Sequence, residues 1–364
     1  MANQAFRSPW VGFLVPELSE RLEHGLGPTA ENSSTRHEMN YFRLCSTLTH
    51  SLSSTLGVVF NLLLIFLVLK NTPKQLRTYS ILILNFALCE FLTCLADLLL
   101  QPRIIGTGVG AFLIPYGPCI LMGTQTCFVI HSFALHCYAH ALWSLLFSFS
   151  YRFYVLKRTP PRNRTIVAII FVIYIPSFLQ FMTFSFANDD EDELKTIIEQ
   201  KFGYDMHSEH VAGFKNFLGW KSLPGILHIT LPVAPVYVAI LVLRKLTISI
   251  LSRGMVMSES NKRLHSQLLK ALTIQACLPI LFLLAVIVYA VEQLDIYHHP
   301  ALEFSIFMMS SLIPMLSPLT SFIFIRPYNV WIKKKLLRRP NMFSSIKIST
   351  ITSKARISDP NVEL

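Results

Sequence analysis

Long apolar runs separated by short polar connections dominate the pattern of this chain. Seven segments carry no Lys or Arg: Leu48–Leu69, Tyr79–Leu100, Ile120–Tyr151, Ile166–Ala187, Ser222–Leu243, Ala271–Val291 and Phe304–Ile325. Each reaches the roughly 20 residues that a helix needs to cross the hydrocarbon core of a bilayer. Lipid offers the backbone no hydrogen bonds, so such segments become helices that satisfy their own. A helix with one face in water would be interrupted by charge every turn or two, whereas Glu90 and Asp97 are the only acids inside these runs. The pattern predicts an all-α membrane protein, a bundle of seven transmembrane helices. It divides the chain into a loosely ordered region over residues 1–47, a seven-helix domain over 48–325, and a tail over 326–364. Ile104–Pro118 is also free of charge, but its Gly and Pro residues build turns. It reads as a loop leading into the third segment.

Charge then orients the bundle. Of the 32 Lys and Arg residues, 23 lie in the connections after segments one, three and five or in the tail. Basic residues stay on the cytoplasmic side, which places the amino terminus outside and the tail in the cytosol. The formal charge of +11 is therefore a property of the inner face. It implies contact with anionic lipid and not with nucleic acid. No secretory leader is evident, so segment one is expected to act as the insertion signal. Asn32-Ser33-Ser34 is a glycosylation sequon on the outer side; Asn163-Arg164-Thr165, in the cytosol by the same count, should stay unmodified. The acidic run Asp189–Glu193 reads as a solvated outer loop.

Polar side chains within the bilayer are expensive and ask for a reason. Glu90 and Asp97 are seven residues apart and share a helix face. They either lock helices together or form a site, with Asp97 toward the outer end as the ligand contact and Glu90 near the middle as the switching residue. Asn61 and Asn85 are hydrogen-bonding groups for neighbouring helices. His131, His136 and His140 fall in segment three; they are either satisfied core residues or part of the pocket. Prolines at 176, 232, 235, 279, 314 and 318 can kink helices four to seven. Cys45 either pairs with Cys119 or both stay thiols, and the odd total of seven cysteines leaves at least one without a partner in the chain.

At the inner end of segment three the chain reads Ser148-Phe149-Ser150-Tyr151-Arg152-Phe153-Tyr154, and segment seven ends Pro318 through Phe324-Ile325-Arg326-Pro327-Tyr328. Beyond it, Val330, Trp331, Leu336 and Leu337 alternate with basic residues, the pattern of a short interfacial helix. Together with Gln101-Pro102-Arg103-Ile104-Ile105 and Gly117-Pro118-Cys119, these runs resemble the nematode serpentine chemoreceptors of the delta class, and the resemblance extends over nearly the whole membrane portion. It implies a G-protein-coupled fold and a receptor for an environmental small molecule, an olfactory or related cue. It further implies a heterotrimeric G protein as partner and the plasma membrane of sensory neurons, in their cilia, as the site. Carried over by position, Arg152 corresponds to the arginine of the wider superfamily's Asp/Glu-Arg-Tyr motif, but Tyr151 precedes it, so the local ion lock is missing. Tyr151, Arg152, Pro279, Pro318 and Tyr328 become the switching candidates. Rhodopsin-type receptors tie the outer end of helix three to the following outer loop through a disulfide. Here Cys119 stands at the first position and no cysteine stands at the second. In the tail, Ser344, Ser345, Ser349 and Thr350 are candidate phosphorylation sites.

A seven-span ligand-gated channel and a small-molecule transporter are the alternative readings. The charge asymmetry argues against the first, and no convincing internal repeat supports the second. No zinc signature, Gly-x-Ser-x-Gly elbow or phosphate loop occurs, so no enzyme is expected, and no cofactor. Oligomeric state is not legible.

Overall fold

The apolar runs form the helices they predict, interrupted where the sequence supplies a breaker. A computed structural model describes residues 28–73, 76–252, 259–278 and 280–335, with side chains from residue 37 and, in the third of those stretches, from residue 266. In chain order the elements open with α1 (Pro28–Asn71), α2 (Arg77–Leu100), β1 (Pro102–Gly106), β2 (Ala111–Pro115), a 3-10 turn (Pro118–Met122), α3 (Thr124–Lys157) and α4 (Asn163–Phe184). They continue with α5 (Glu191–Phe202), β3 (Ala212–Phe214), α6 (Leu223–Thr230), α7 (Val233–Ser252), α8 (Glu259–Gln275), α9 (Ile280–Gln293), α10 (Pro300–Phe324) and α11 (Arg326–Lys335). The fifth span is α6 with α7, the sixth is α8 with α9, and the seventh is α10. Among the described residues, six spans are long and apolar enough to cross a membrane. The remaining one, α3, is the central helix, packed on α2, α4, α7 and α8. A helix surrounded by protein can carry the histidines and serines that a lipid-facing one cannot.

The chain divides into two compact units, Met1–Cys45 and Ser46–Leu364. In the first, helix is already present from Pro28, so the region expected to be loosely ordered contains the beginning of α1. Asn32 falls in that helix with its side chain outside the described residues. Pro279 and the tail residues Ser344, Ser345, Ser349 and Thr350 lie outside them altogether.

The second unit departs from a pure helix bundle at one end. Residues expected to form a plain loop before segment three make an antiparallel hairpin. β1 pairs with β2 from Pro102↔Pro115 to Gly106↔Ala111, and β3 adds to β2 from Ala111↔Phe214 to Leu113↔Ala212. The β-branched and aromatic residues of Arg103–Ile105 and Phe112–Ile114 favour strand, and period-2 alternation gives the sheet two apolar faces. Phe112 and Ile114 pack with Ile105, Leu194, Ile198 and Val211 under the amphipathic α5. Ala111 and Leu113 pack inward with Leu100, Phe128, Phe184 and Phe214. Two glycines make this tight junction possible: a Cβ on Gly117 would lie 2.2 Å from the Leu99 carbonyl oxygen, and one on Gly213, whose φ is +140°, would lie 2.2 Å from that of Ala111.

The acidic run is the start of α5 and not a plain loop. Asp190 caps the helix by accepting from the amides of Asp192 and Glu193, and the acids of the first turn suit the helix dipole. Cys119 is bonded to Cys127, not to Cys45. Gly117-Pro118 starts a 3-10 turn that folds Cys119 back over the first turn of α3, bringing the two Cα atoms within 5.3 Å, inside the range a disulfide requires. The pairing is local and could not be inferred from helix ends.

Prolines break the fifth span at Leu231-Pro232 and leave kink sites inside α10. Pro314 and Pro318 each remove one amide from the ladder of α10, stripping the carbonyls of Ser310 and Pro314. Both carbonyls are re-satisfied from neighbouring helices. Tyr138 Oη donates to Ser310 O at 3.2 Å, and Asn61 Nδ2 donates to Pro314 O at 2.9 Å.

Candidate functional site

A closed roof covers one end of the bundle. Arg103, on β1, and Glu303, in the first turn of α10, are both buried and form an ion pair through Nε, at 2.7 Å, and Nη2. Tyr204 donates to the other carboxylate oxygen at 3.1 Å. The guanidinium lies 5.0 Å from the ring centres of both Tyr204 and Phe304. Arg103 is held even more firmly protonated than an ordinary arginine: burial opposes its charge, but Glu303 and Tyr116 outweigh that. Tyr204 moves in the same direction, through burial and the Glu303 charge. α5 is fastened by Lys201 Nζ, which donates to Thr107 O at 2.7 Å and Asp295 Oδ1 at 2.6 Å. Thr124 Oγ1 donates to Glu191, and Gln125 accepts from Asn188. Where no cysteine is available to tie the loop after α4 to the outer end of α3, strand pairing and these side chains do so.

Beneath the roof lies a cavity of about 140 Å³ between α3, α6, α9 and α10. Its walls are mostly aromatic and aliphatic: Phe128, Leu135, Phe184, Phe214, Phe217, Phe282, Tyr289 and Phe307 among others. A deeper cavity of about 70 Å³ shares Tyr138, Ile229 and Phe282 with it and is also lined by Glu90, Thr93, Gln275 and Ser317. Gln275 Nε2 donates to Ser317 Oγ at 3.2 Å. Glu90 is buried, and its Oε2 has no hydrogen-bond partner.

The five polar residues expected to form a ligand pocket or a polar core are thus divided. Glu90 and His131 line the deeper and the outer cavity respectively. Asp97 is turned toward α1, where its Oδ2 meets His50 Nδ1 at 2.9 Å and accepts from Ser54 Oγ. It is absent from the walls of both cavities, so the expectation that it edges the pocket is not met: an unexpected histidine on α1 occupies its carboxylate. His136 packs edge-on against Tyr174 of α4 at 4.8 Å, and His140 Nε2 meets Asn85 Oδ1 at 3.3 Å. Both lie in helix interfaces. Arg103, Glu303, Tyr138 and His50 were not singled out by sequence. An arginine in an apolar stretch beside an outer loop was the available signal for the first.

At the opposite end, Arg152 is buried, and its guanidinium sits 3.7 Å from the Tyr79 ring centre. Tyr79 in turn stacks on Tyr151 at 6.1 Å. A cation over an aromatic face is worth about 2 kcal/mol when desolvated, so α2 contributes where the motif's acid is missing. Tyr328, at the start of α11, is fully buried and shares a hydrogen bond of 2.8 Å with Thr72 Oγ1 at the end of α1. Phe60, Tyr151, Phe322, Ile325 and Tyr328 belong to one apolar cluster there.

Residues 46–334 match the family of serpentine type 7TM GPCR chemoreceptors, Srd. The chain is similar to serpentine receptor class delta-18 of Caenorhabditis elegans, 38% identical over 305 residues that cover 80% of this chain and 90% of that one. It is likewise similar to class delta-19 of the same organism, 37% identical over 298 residues covering 79% and 88%. Among solved structures it resembles squid rhodopsin, with a TM-score of 0.56 at 12% identity, over 89% of this chain and 94% of that one. That likeness shows the fold.

Proposed function

Because this chain belongs to the Srd family of serpentine seven-transmembrane chemoreceptors, we propose that it detects an environmental small molecule and signals through a heterotrimeric G protein. The observation that carries this reading is the cavity between α3, α6, α9 and α10, joined through Tyr138 and Phe282 to a deeper chamber holding Glu90. A ligand there touches the helices whose breaks at Pro232 and at Ala276–Leu278 let their inner halves move. Binding favours whichever arrangement suits the occupied cavity, and the equilibrium shifts by the difference in affinity alone. Arg152 over Tyr79, and Tyr328 on Thr72, are the contacts that such a shift rearranges.

The roofed end faces outward and the Arg152 end the cytosol, in keeping with the distribution of Lys and Arg. The domains divide as 1–47, 48–325 and 326–364, with Asn32 glycosylated and the tail serines and threonines phosphorylated. The protein resides in the plasma membrane, in cilia of sensory neurons, and acts in olfaction. Cells expressing it, screened against small-molecule panels with cAMP, cGMP and calcium reporters, are expected to respond. Arg152→Ala should abolish the response at normal surface expression. Uptake of the activating compound without any reporter signal would support a transporter instead.

A further inference from the structure

Resting on that reading, we propose that the ligand is an uncharged, largely apolar molecule that enters the cavity sideways from the bilayer, between the fifth and sixth spans. No Asp, Glu, Lys or Arg lines the outer cavity. Its polar groups are mostly spent. Thr230 donates to Ile226 O at 2.8 Å, Ser310 to Ile306 O at 3.1 Å, and Tyr138 to Ser310 O. His131 remains, with Nδ1 buried and without a hydrogen-bond partner, together with the Tyr289 hydroxyl on the same wall. A ligand bearing a full charge would lose its hydration against aromatic walls that return nothing comparable. A molecule with an apolar body and one polar group loses little and finds His131.

The route follows from what is closed and what is open. The sheet above the cavity is sealed: Phe112, Leu113, Ala212 and Phe214 are buried on the roof, and α5 covers the sheet. On the side, a groove of about 720 Å³ runs between α7 and α8–α9. Thr230 and Val286 line both this groove and the cavity. Its rim residues Leu241, Ile280 and Leu283 are exposed apolar side chains, suited to hydrocarbon. The class of ligand that the cavity accepts is the class that concentrates in a membrane, so cavity and entrance agree.

The full chain in phosphatidylcholine nanodiscs provides the test, with fluorescent, uncharged 1-aminoanthracene as probe. Saturable binding is expected, displaced by 2-nonanone, while nonanoate and nonylammonium need at least about tenfold more. Ala234→Trp, placed in the groove and outside the cavity wall, should slow probe association about tenfold and leave equilibrium affinity within about threefold. Leu283→Ala, which only removes atoms at an exposed position, should speed it. Equal competition by either charged compound, or no saturable binding by a protein that still unfolds cooperatively, overturns the ligand class. Association rates unchanged in both folded variants overturn the route. Intact probe binding without any G-protein response would instead count against the receptor reading alone.

Discussion

Asn61 and Tyr138 are single side chains that let a proline-containing helix stay ordered. Each donates to a carbonyl that Pro318 or Pro314 has stripped of its amide. A buried acceptor left unsatisfied costs about 1–3 kcal/mol. Asn61→Ala and Tyr138→Phe should each lower thermal stability by that amount, measured by thiol-reactive-dye unfolding in detergent; melting curves that match wild type would show that α10 needs neither. Asp97 is legible in the sequence as an intramembrane acid, but its partner is not. His50 is one polar residue among several near the start of the first apolar run, and only helix packing brings it to 2.9 Å. Asp97→Asn should weaken the seam between α1 and α2 while leaving probe binding in the cavity within about threefold. Loss of binding with stability retained would return Asp97 to the pocket.

At the scale of elements, the sheet and α5 work as one lid held by few fasteners. Arg103 and Glu303 join it to α10. Breaking a buried ion pair from one side costs about 3–5 kcal/mol, because the other charge stays behind unmatched. Arg103→Met should therefore destabilise strongly, and the double variant with Glu303→Leu should recover part of the loss. Hydrogen exchange of the β1 and β2 amides would read both; a double variant worse than either single change would contradict the pairing. Lys201 fastens α5 to Thr107 and Asp295. Partial burial pushes the Asp295 carboxyl up, but hydrogen bonds from Lys201 and His298 outweigh this and hold it below its ordinary range. A depressed carboxyl contributes stability above its unfolded value and loses it as pH falls through the lower, folded one. Exchange at the β1–β2 turn, taken relative to its intrinsic rate at each pH, should stay constant from about pH 8 to about pH 5. Lys201→Ala should accelerate it throughout.

For the whole molecule, the organising feature is the difference between its two ends. One end is roofed and joined to the cavity; the other is an apolar cluster around Tyr79, Tyr151, Phe322 and Tyr328 with Arg152 set into it. If that cluster holds the resting arrangement, Tyr79→Ala should raise ligand-independent signalling by removing the ring under the guanidinium. Reporter output without ligand, normalised to surface expression, measures this, and an unchanged or lowered baseline would argue that the contact belongs to the active arrangement.

The run lengths alone determined that this chain is a membrane bundle of seven helices, because a bilayer demands an unbroken apolar stretch whatever lies next to it. They placed the ends of α2 and α10 within a few residues of where they occur. The wider spacing of charges determined which connections group together, and the intramembrane acids announced themselves through their desolvation cost. Tertiary structure decided the rest. The hairpin of β1 and β2 is too short and too glycine-rich to be told from a loop until β3 and α5 close over it. Cys119 finds Cys127 because a turn folds back, not because helix ends meet. Glu90 and Asp97 share one face, yet one borders a cavity and the other a histidine, since a helix face spans more than one neighbour. Sequence specifies which side chains must leave lipid; packing alone specifies what each of them meets.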